Sequence, residues 1–237
     1  GAISAAYSIQ GKDIHVYASI GVTLFPLDSD DAETLLRHAD QAMYVAKQSG
    51  RNRFHLFDVM RDREVKATHQ TVARVRQALL GNELRLHFQP KVNMRGGVVV
   101  GFEASLRWEH PQKGAVPPRE FLPLVEETDL IVEIGEWVID QVLAQLSRWQ
   151  ASGQQWPVSV NIAARHFQRT DFFDRLKQVL ERHARVAPHL LDLEIVESMA
   201  IENIQHVTTC LQACQALGVR FSLGDFGTGY SSLSYLK

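Results

Sequence analysis

The alternation of apolar and polar positions sorts the chain into three stretches. In the first, Ile14 to Pro26 (IHVYASIGVTLFP) is rich in β-branched and aromatic residues and predicts a strand. Asp30 followed by Glu33 has the spacing of a capping box. Leu35, Leu36, Ala39, Ala42, Met43 and Ala46 then recur on one helical face, and Gly50 is the natural stop. Asn52 to Phe57 alternates as a short strand. A strand–helix–strand unit of this size buries little apolar surface by itself, so it reads as part of a larger domain.

The second stretch, Val59 to Leu80, places Val65, Thr68, Val72, Val75 and Leu79 at helical spacing, with Arg and Lys on the other face. It predicts a connecting helix that Gly81-Asn82 ends. The third begins with two strands, Leu84 to Val92 and Val98 to Trp108. The turn Asn93 to Gly97 between them predicts an antiparallel hairpin. Pro117-Pro118 opens a helix through Thr128, and Leu130 to Trp149 is a long amphipathic helix.

After Gly153 the pattern alternates strictly. Strand Val158 to Ile162 precedes helix Asp171 to His183, and strand Leu191 to Glu197 precedes helix Ile204 to Leu217, before strand Val219 to Leu223. Strands separated by single helices predict an α/β fold with a parallel sheet and right-handed crossovers, as in a (β/α) barrel.

Composition narrows the function classes. A net charge of −2 over 237 residues provides no global basic field, so direct DNA or RNA binding is not expected. Cys210 and Cys214 lie four apart on one helical face and read as small packing residues rather than a metal or disulfide pair. A reducing cytoplasm fits that usage. No stretch approaches the roughly 18 to 20 apolar residues of a membrane span, so any anchor would lie outside these residues.

The candidate chemistry gathers where strands end. Glu103, Asn161, Glu194 and Asp225 stand at the C-terminal ends of successive predicted strands, the catalytic face of a (β/α) barrel. Four oxygen donors suit Mg²⁺, Mn²⁺ or Ca²⁺ better than zinc, and the ten histidines form no HxH or HExxH grouping. The stretch RFSLGDFGTGYSS at 220–232 carries a strand into a glycine-rich loop, which suits close approach of a ligand. The alternative is a tight turn with Asp225 as a helix cap.

Two family resemblances rest on these residues. ASIGVTLFP at 18–26 and DAETLLRHADQAMYVAKQSGRNRFHLFD at 31–58 resemble the C-terminal part of a GGDEF (diguanylate cyclase) domain. The GGDEF signature and the nucleotide-binding strands would lie upstream, so cyclase activity is not expected of this piece. From Leu84 onward the chain resembles the EAL domain, the cyclic di-GMP phosphodiesterase family, a modified (β/α)₈ TIM-like barrel. The motifs that match in order are FQPKV at 88–92, GFEASLRWEHP at 101–111, FLPLVEETDLI at 121–131, SVNIAARHF at 159–167, LEIVES at 193–198 and GDFGTGYSSL at 224–233.

The resemblance implies residues 1–58 as GGDEF, 59–80 as the connecting helix and 81–237 as an EAL domain. The first five barrel strands are present, and the chain stops before the strands that carry the family's catalytic lysine. Lys237 is not that lysine.

Roles follow position by position from the same resemblance. Glu103, Asn161, Glu194 and Asp225 match metal ligands. Glu197 matches the glutamate that steadies the loop after strand 219–223. Gln89 and Arg107 match residues that contact the dinucleotide, Arg107 towards a phosphate.

Two departures from the family matter. Ser105 stands where the family usually has leucine. Gly224 occupies the first position of an adjacent aspartate pair, so the remaining ligands favour one Mg²⁺ or Mn²⁺ ion over two. Three functions are therefore in play. The favoured one is a GGDEF–EAL signalling protein whose EAL half binds cyclic di-GMP with impaired hydrolysis. The others are an active metal-dependent phosphodiesterase and a non-binding interaction module. The expected assembly is a homodimer through the EAL domain.

Overall fold

The computed structural model describes residues 7–10, 12–196 and 204–224. The chain divides into two compact units, Gly1–His69 and Gln70–Lys237.

In the first unit β1 (Tyr7–Ile9) and β2 (Lys12–Ile14) pair antiparallel, while β3 (Ile20–Val22) and β4 (Phe54–Leu56) pair parallel. Helix α1 (Ala32–Gln48) connects β3 to β4. The single strand expected over 14–26 is therefore two pieces. Backbone groups need ladder partners, and the apolar run serves two different sheets, leaving 15–19 outside both. The helix cap also differs from the expectation: Asp31, not Asp30, caps α1, its carboxylate accepting from the Thr34 amide at 2.8 Å. Gly50 ends the helix at φ 106°, a conformation that favours glycine.

Strand and helix touch at Gly21, where a Cβ would fall 1.8 Å from the Ala39 carbonyl oxygen. Ala42 and Ala46 are buried, but Leu36 and Phe54 remain 73% and 71% exposed, so this unit covers only part of its apolar surface.

Helix α2 (Val59–Leu80) follows with the expected bounds, and Asn82 just beyond it adopts φ 54°. Its last turns place Val75 and Ala78 in the core of the second unit. There β5 (Leu84–Asn93) and β6 (Val98–His110) form the expected antiparallel hairpin, and β7 (Gly114–Val116) adds to β6. Strands β8 (Val158–Ile162), β9 (Leu191–Val196) and β10 (Arg220–Gly224) extend the sheet in parallel, in the order β10-β9-β8-β6-β5. The helices are α3 (Pro118–Val125), α4 (Leu130–Ala151), α5 (Ala164–Phe167), α6 (Phe172–Arg182) and α7 (Ile204–Ala216).

This is an α/β architecture with five strands of a TIM-like barrel wall. The helix expected through Thr128 stops at Val125, because the Thr128 hydroxyl donates to the Val125 carbonyl at 2.7 Å and breaks the run before α4.

Apolar positions of α4, among them Leu130, Ile134, Val142, Leu143 and Leu146, share one buried cluster with Ala104, Leu106, Val158, Val160, Leu191 and Leu193 from the strands. Fully burying a Leu or Val side chain is worth about 1.5–3 kcal/mol. This helix-covered face is what holds the sheet. The opposite face is left to polar residues. Among the described residues no helix is long and apolar enough to cross a membrane.

Candidate functional site

Side chains alternate across a strand, so each strand that buries one row must present the other. On β6 the buried row is Ala104, Leu106 and Trp108, and the opposite row is Glu103, Ser105 and Arg107. On β8 Asn161 is exposed between buried Val160 and Ile162. On β9 Asp192 and Glu194 alternate with buried Leu191, Leu193 and Ile195. The register sets Asn161 beside Glu194 and Glu194 beside Ser222, with Gly224 two residues on. Polar residues from four strands thus share one face.

A cavity of about 550 Å³ adjoins that face and reaches to the helix-covered side of the strands, since Ala104, Leu106, Val160 and Ile162 line it as well. Its polar wall includes Glu103, Ser105, Arg119, Asn161 and Glu194, and Gly224 closes one side. Leu122, Ile134 and Val138 supply an apolar wall. Asn161 Nδ2 donates to Glu103 Oε1 at 3.0 Å, which joins two of the expected metal ligands directly.

Glu103 is not at a strand end as expected, because β6 runs on to His110. It lies instead where the parallel pairing with β8 (Phe102 to Ala104) occurs, and beyond that point the β6 edge lines the cavity. Glu197 and Asp225 lie outside the described residues.

Gln89 is exposed and stands opposite Glu103 in the β5–β6 ladder. Arg107 does not float free. Its Nη1 donates to Ser105 Oγ at 2.6 Å and to the Leu106 carbonyl at 2.7 Å. The residue that departs from the family signature is thus the hydroxyl that holds the expected phosphate contact.

Along the same strand face runs a polar chain of which the sequence reading named only Glu194. Lys91 Nζ donates to Ser159 Oγ at 2.7 Å and to Glu194 Oε1 at 2.5 Å. Ser159 Oγ and Ser222 Oγ both donate to Asp192 Oδ2, at 3.1 and 3.0 Å. The available signal was the i, i+2 spacing of polar residues in apolar strands, Ser159 with Asn161 and Asp192 with Glu194. Nothing in that spacing points to Lys91.

The donor set fits a hard divalent cation. Glu103 and Glu194 offer carboxylate oxygens. With its Nδ2 engaged on Glu103, Asn161 keeps its Oδ1 as the acceptor. These three residues would hold such an ion, which would supply charge stabilisation and water activation.

A wall of parallel strands with oxygen donors over one cavity defines a barrel domain that works at its strand ends. The comparisons with known proteins make this specific. The EAL domain family pattern matches residues 72–237, and the pattern for the diguanylate cyclase GGDEF domain matches residues 2–53. The chain belongs to the EAL domain family, preceded by GGDEF sequence.

It is 42% identical over 236 residues to the bifunctional diguanylate cyclase/cyclic di-GMP phosphodiesterase MucR of Pseudomonas aeruginosa, covering 99% of this chain and 34% of that protein. It is 39% identical over 225 residues to the cyclic di-GMP phosphodiesterase PdeR of Escherichia coli, covering 94% of this chain and 34% of that protein. The chain thus spans about a third of the length of these curated relatives. A solved structure of the PaMucR phosphodiesterase in complex with c-di-GMP superimposes with a TM-score of 0.67 at 45% identity, covering 70% of this chain and 68% of that one.

Proposed function

We propose that this chain is part of a GGDEF–EAL signalling protein whose EAL domain binds cyclic di-GMP and hydrolyses it poorly. Binding is supported by Gln89 and Arg107 on the polar face, by the adjoining cavity and by the likeness to a cyclic di-GMP complex. Impaired hydrolysis rests on one observation. A Cβ at Gly224 would point at the cluster, 3.8 Å from Asn161 Oδ1 and 3.9 Å from Glu194 Cβ. A carboxylate from that position would complete the cation site, and glycine supplies none.

In this reading Glu103, Asn161 and Glu194, with Asp225, hold one Mg²⁺ or Mn²⁺ ion. A second ion lacks an anionic ligand, and two-metal water activation suffers. A homodimer through the EAL domain belongs to the same proposal.

The test uses the full-length protein with Mg²⁺ or Mn²⁺ in excess. Calorimetry should detect cyclic di-GMP binding while turnover stays well below about 1 per second, the low end of ordinary enzymes. Turnover at or above that rate would establish a working phosphodiesterase instead. This second reading draws its support from the activity named for MucR and PdeR. Absence of any binding heat would leave only an interaction module.

A further inference from the structure

We infer that Lys91 is a resident counter-cation of the metal cluster, which holds Glu194 in place and competes with divalent ions for it. The inference rests on the reading of Glu194 as a metal ligand and adds to it a residue that opposes occupancy.

Lys91 comes from β5, the antiparallel edge of the sheet, and reaches across to β8 and β9. Its ammonium is 2.5 Å from Glu194 Oε1, an ion pair in which the lysine side chain is 40% exposed and the glutamate 14%. The second contact, to Ser159 Oγ at 2.7 Å, continues to Asp192. Asp192 Oδ2 takes two hydroxyl donors, while its Oδ1 is buried without a partner among the described residues. Lys91 thus sits between two acidic groups, in direct contact with one and joined to the other through a serine.

The same contact carries a cost for metal binding. A carboxylate has room for an ammonium on one oxygen and a metal on the other, so Lys91 does not block Glu194 outright. It does place a positive charge a few ångströms from any dication that Glu194 ligates. Repulsion between a single and a double charge at that range exceeds the gain from orienting one side chain, because an oriented hydrogen bond has only a modest net worth. Removing the charge should therefore tighten metal binding. Merely loosening Glu194 would weaken it. The sign separates the two roles.

The experiment titrates Mn²⁺ into the nucleotide-free full-length protein, by calorimetry and by electron paramagnetic resonance of free Mn²⁺. Lys91→Met should bind Mn²⁺ at least tenfold more tightly than wild type, and Lys91→Arg, which keeps the charge, should stay within about threefold. Circular dichroism and melting of each variant confirm the fold, and Lys91→Gln replaces the Met variant if that one fails to fold. Equal or weaker Mn²⁺ affinity in the folded Met or Gln variant overturns the inference. Cyclic di-GMP binding, measured in parallel with chelator present, tests the proposed function independently. Its loss in wild type would remove that reading without altering the ratio of Mn²⁺ affinities.

Discussion

Gly224 faces Asn161 across the β9 strand between them, and a Cβ on the glycine would stand 3.8 Å from Asn161 Oδ1. That is ordinary van der Waals contact. Gly224 is also absent from the positive-φ glycines, so its backbone does not require glycine. A strained backbone at position 224 is therefore excluded as the reason for glycine there, and what glycine changes is the missing carboxylate. Gly224→Asp should fold. It adds a negative charge near Glu194, so without metal the melting temperature should fall slightly. Saturating Mn²⁺ should raise it more in the variant than in wild type, because an ion that binds only the folded state stabilises it by mass action. Turnover of cyclic di-GMP by the full-length variant should rise. Equal Mn²⁺-dependent shifts in the two proteins would show that position 224 does not reach the ion.

The Ser105–Arg107 contact changes the meaning of the departure from leucine. Serine in place of leucine by itself means only a lost apolar contact. The structure shows instead a hydroxyl that fixes a guanidinium at 2.6 Å. Arg107→Ala should weaken cyclic di-GMP binding by about 1.5–3 kcal/mol, the scale of a hydrogen bond to a charged group. Ser105→Ala should cost about 0.5–1.5 kcal/mol, since the arginine remains but loses one anchor. Calorimetry on both variants orders them. A Ser105→Ala protein that binds as wild type would reduce this contact to packing.

The two findings show what was legible in advance. Period-2 and period-3.6 patterns placed the hairpin, the helices and the parallel strands, because each element must bury one row of side chains and expose the other. An expected place at strand ends singled out Glu103, Asn161 and Glu194, although Glu103 lies within β6 rather than at its end. Neither signal could place Lys91, whose long side chain crosses from β5 to β9 and whose partner is set by sheet order rather than by spacing. Nor could either divide Ile14 to Pro26 between two sheets, since an apolar run signals a strand without naming the strand it pairs with.

Close packing behind the sheet sets a third expectation. Gly135 on α4 meets the buried His166 ring, and a Cβ there would fall 2.3 Å from Nδ1 and 2.9 Å from Cε1. The ring is also wedged edge-on against Phe172, with centroids 5.0 Å apart. It cannot yield cheaply. Gly135→Ala should destabilise by about 1–3 kcal/mol, the cost of overpacking a filled core. Chemical denaturation with an unchanged m-value would measure it, and a loss below about 0.5 kcal/mol would mean that helix and ring can separate.

His166 itself should leave a signature in the pH dependence of stability. Its ring is 2% exposed, and Nδ1 has no partner among the described residues. Burial, aided by the positive charges of Arg169 and Arg175 and opposed by Asp171, lowers its pKa from 6.5 to about 4. Asp171 is itself held ionised by those arginines, which donate to it at 2.7 Å each, so its charge persists across this range. The folded protein thus keeps His166 neutral where the unfolded chain takes up a proton. The unfolded state binds more protons between about pH 4 and pH 6.5, so stability must rise with pH across that window and level off above it. A shift of this size corresponds to about 3 kcal/mol at most. His166→Gln keeps a polar side chain of similar reach without the titration, and it should flatten this part of the profile. Urea unfolding at half-unit pH steps compares the two proteins. Parallel curves between pH 4 and 6.5 would show that the ring admits its proton within the fold.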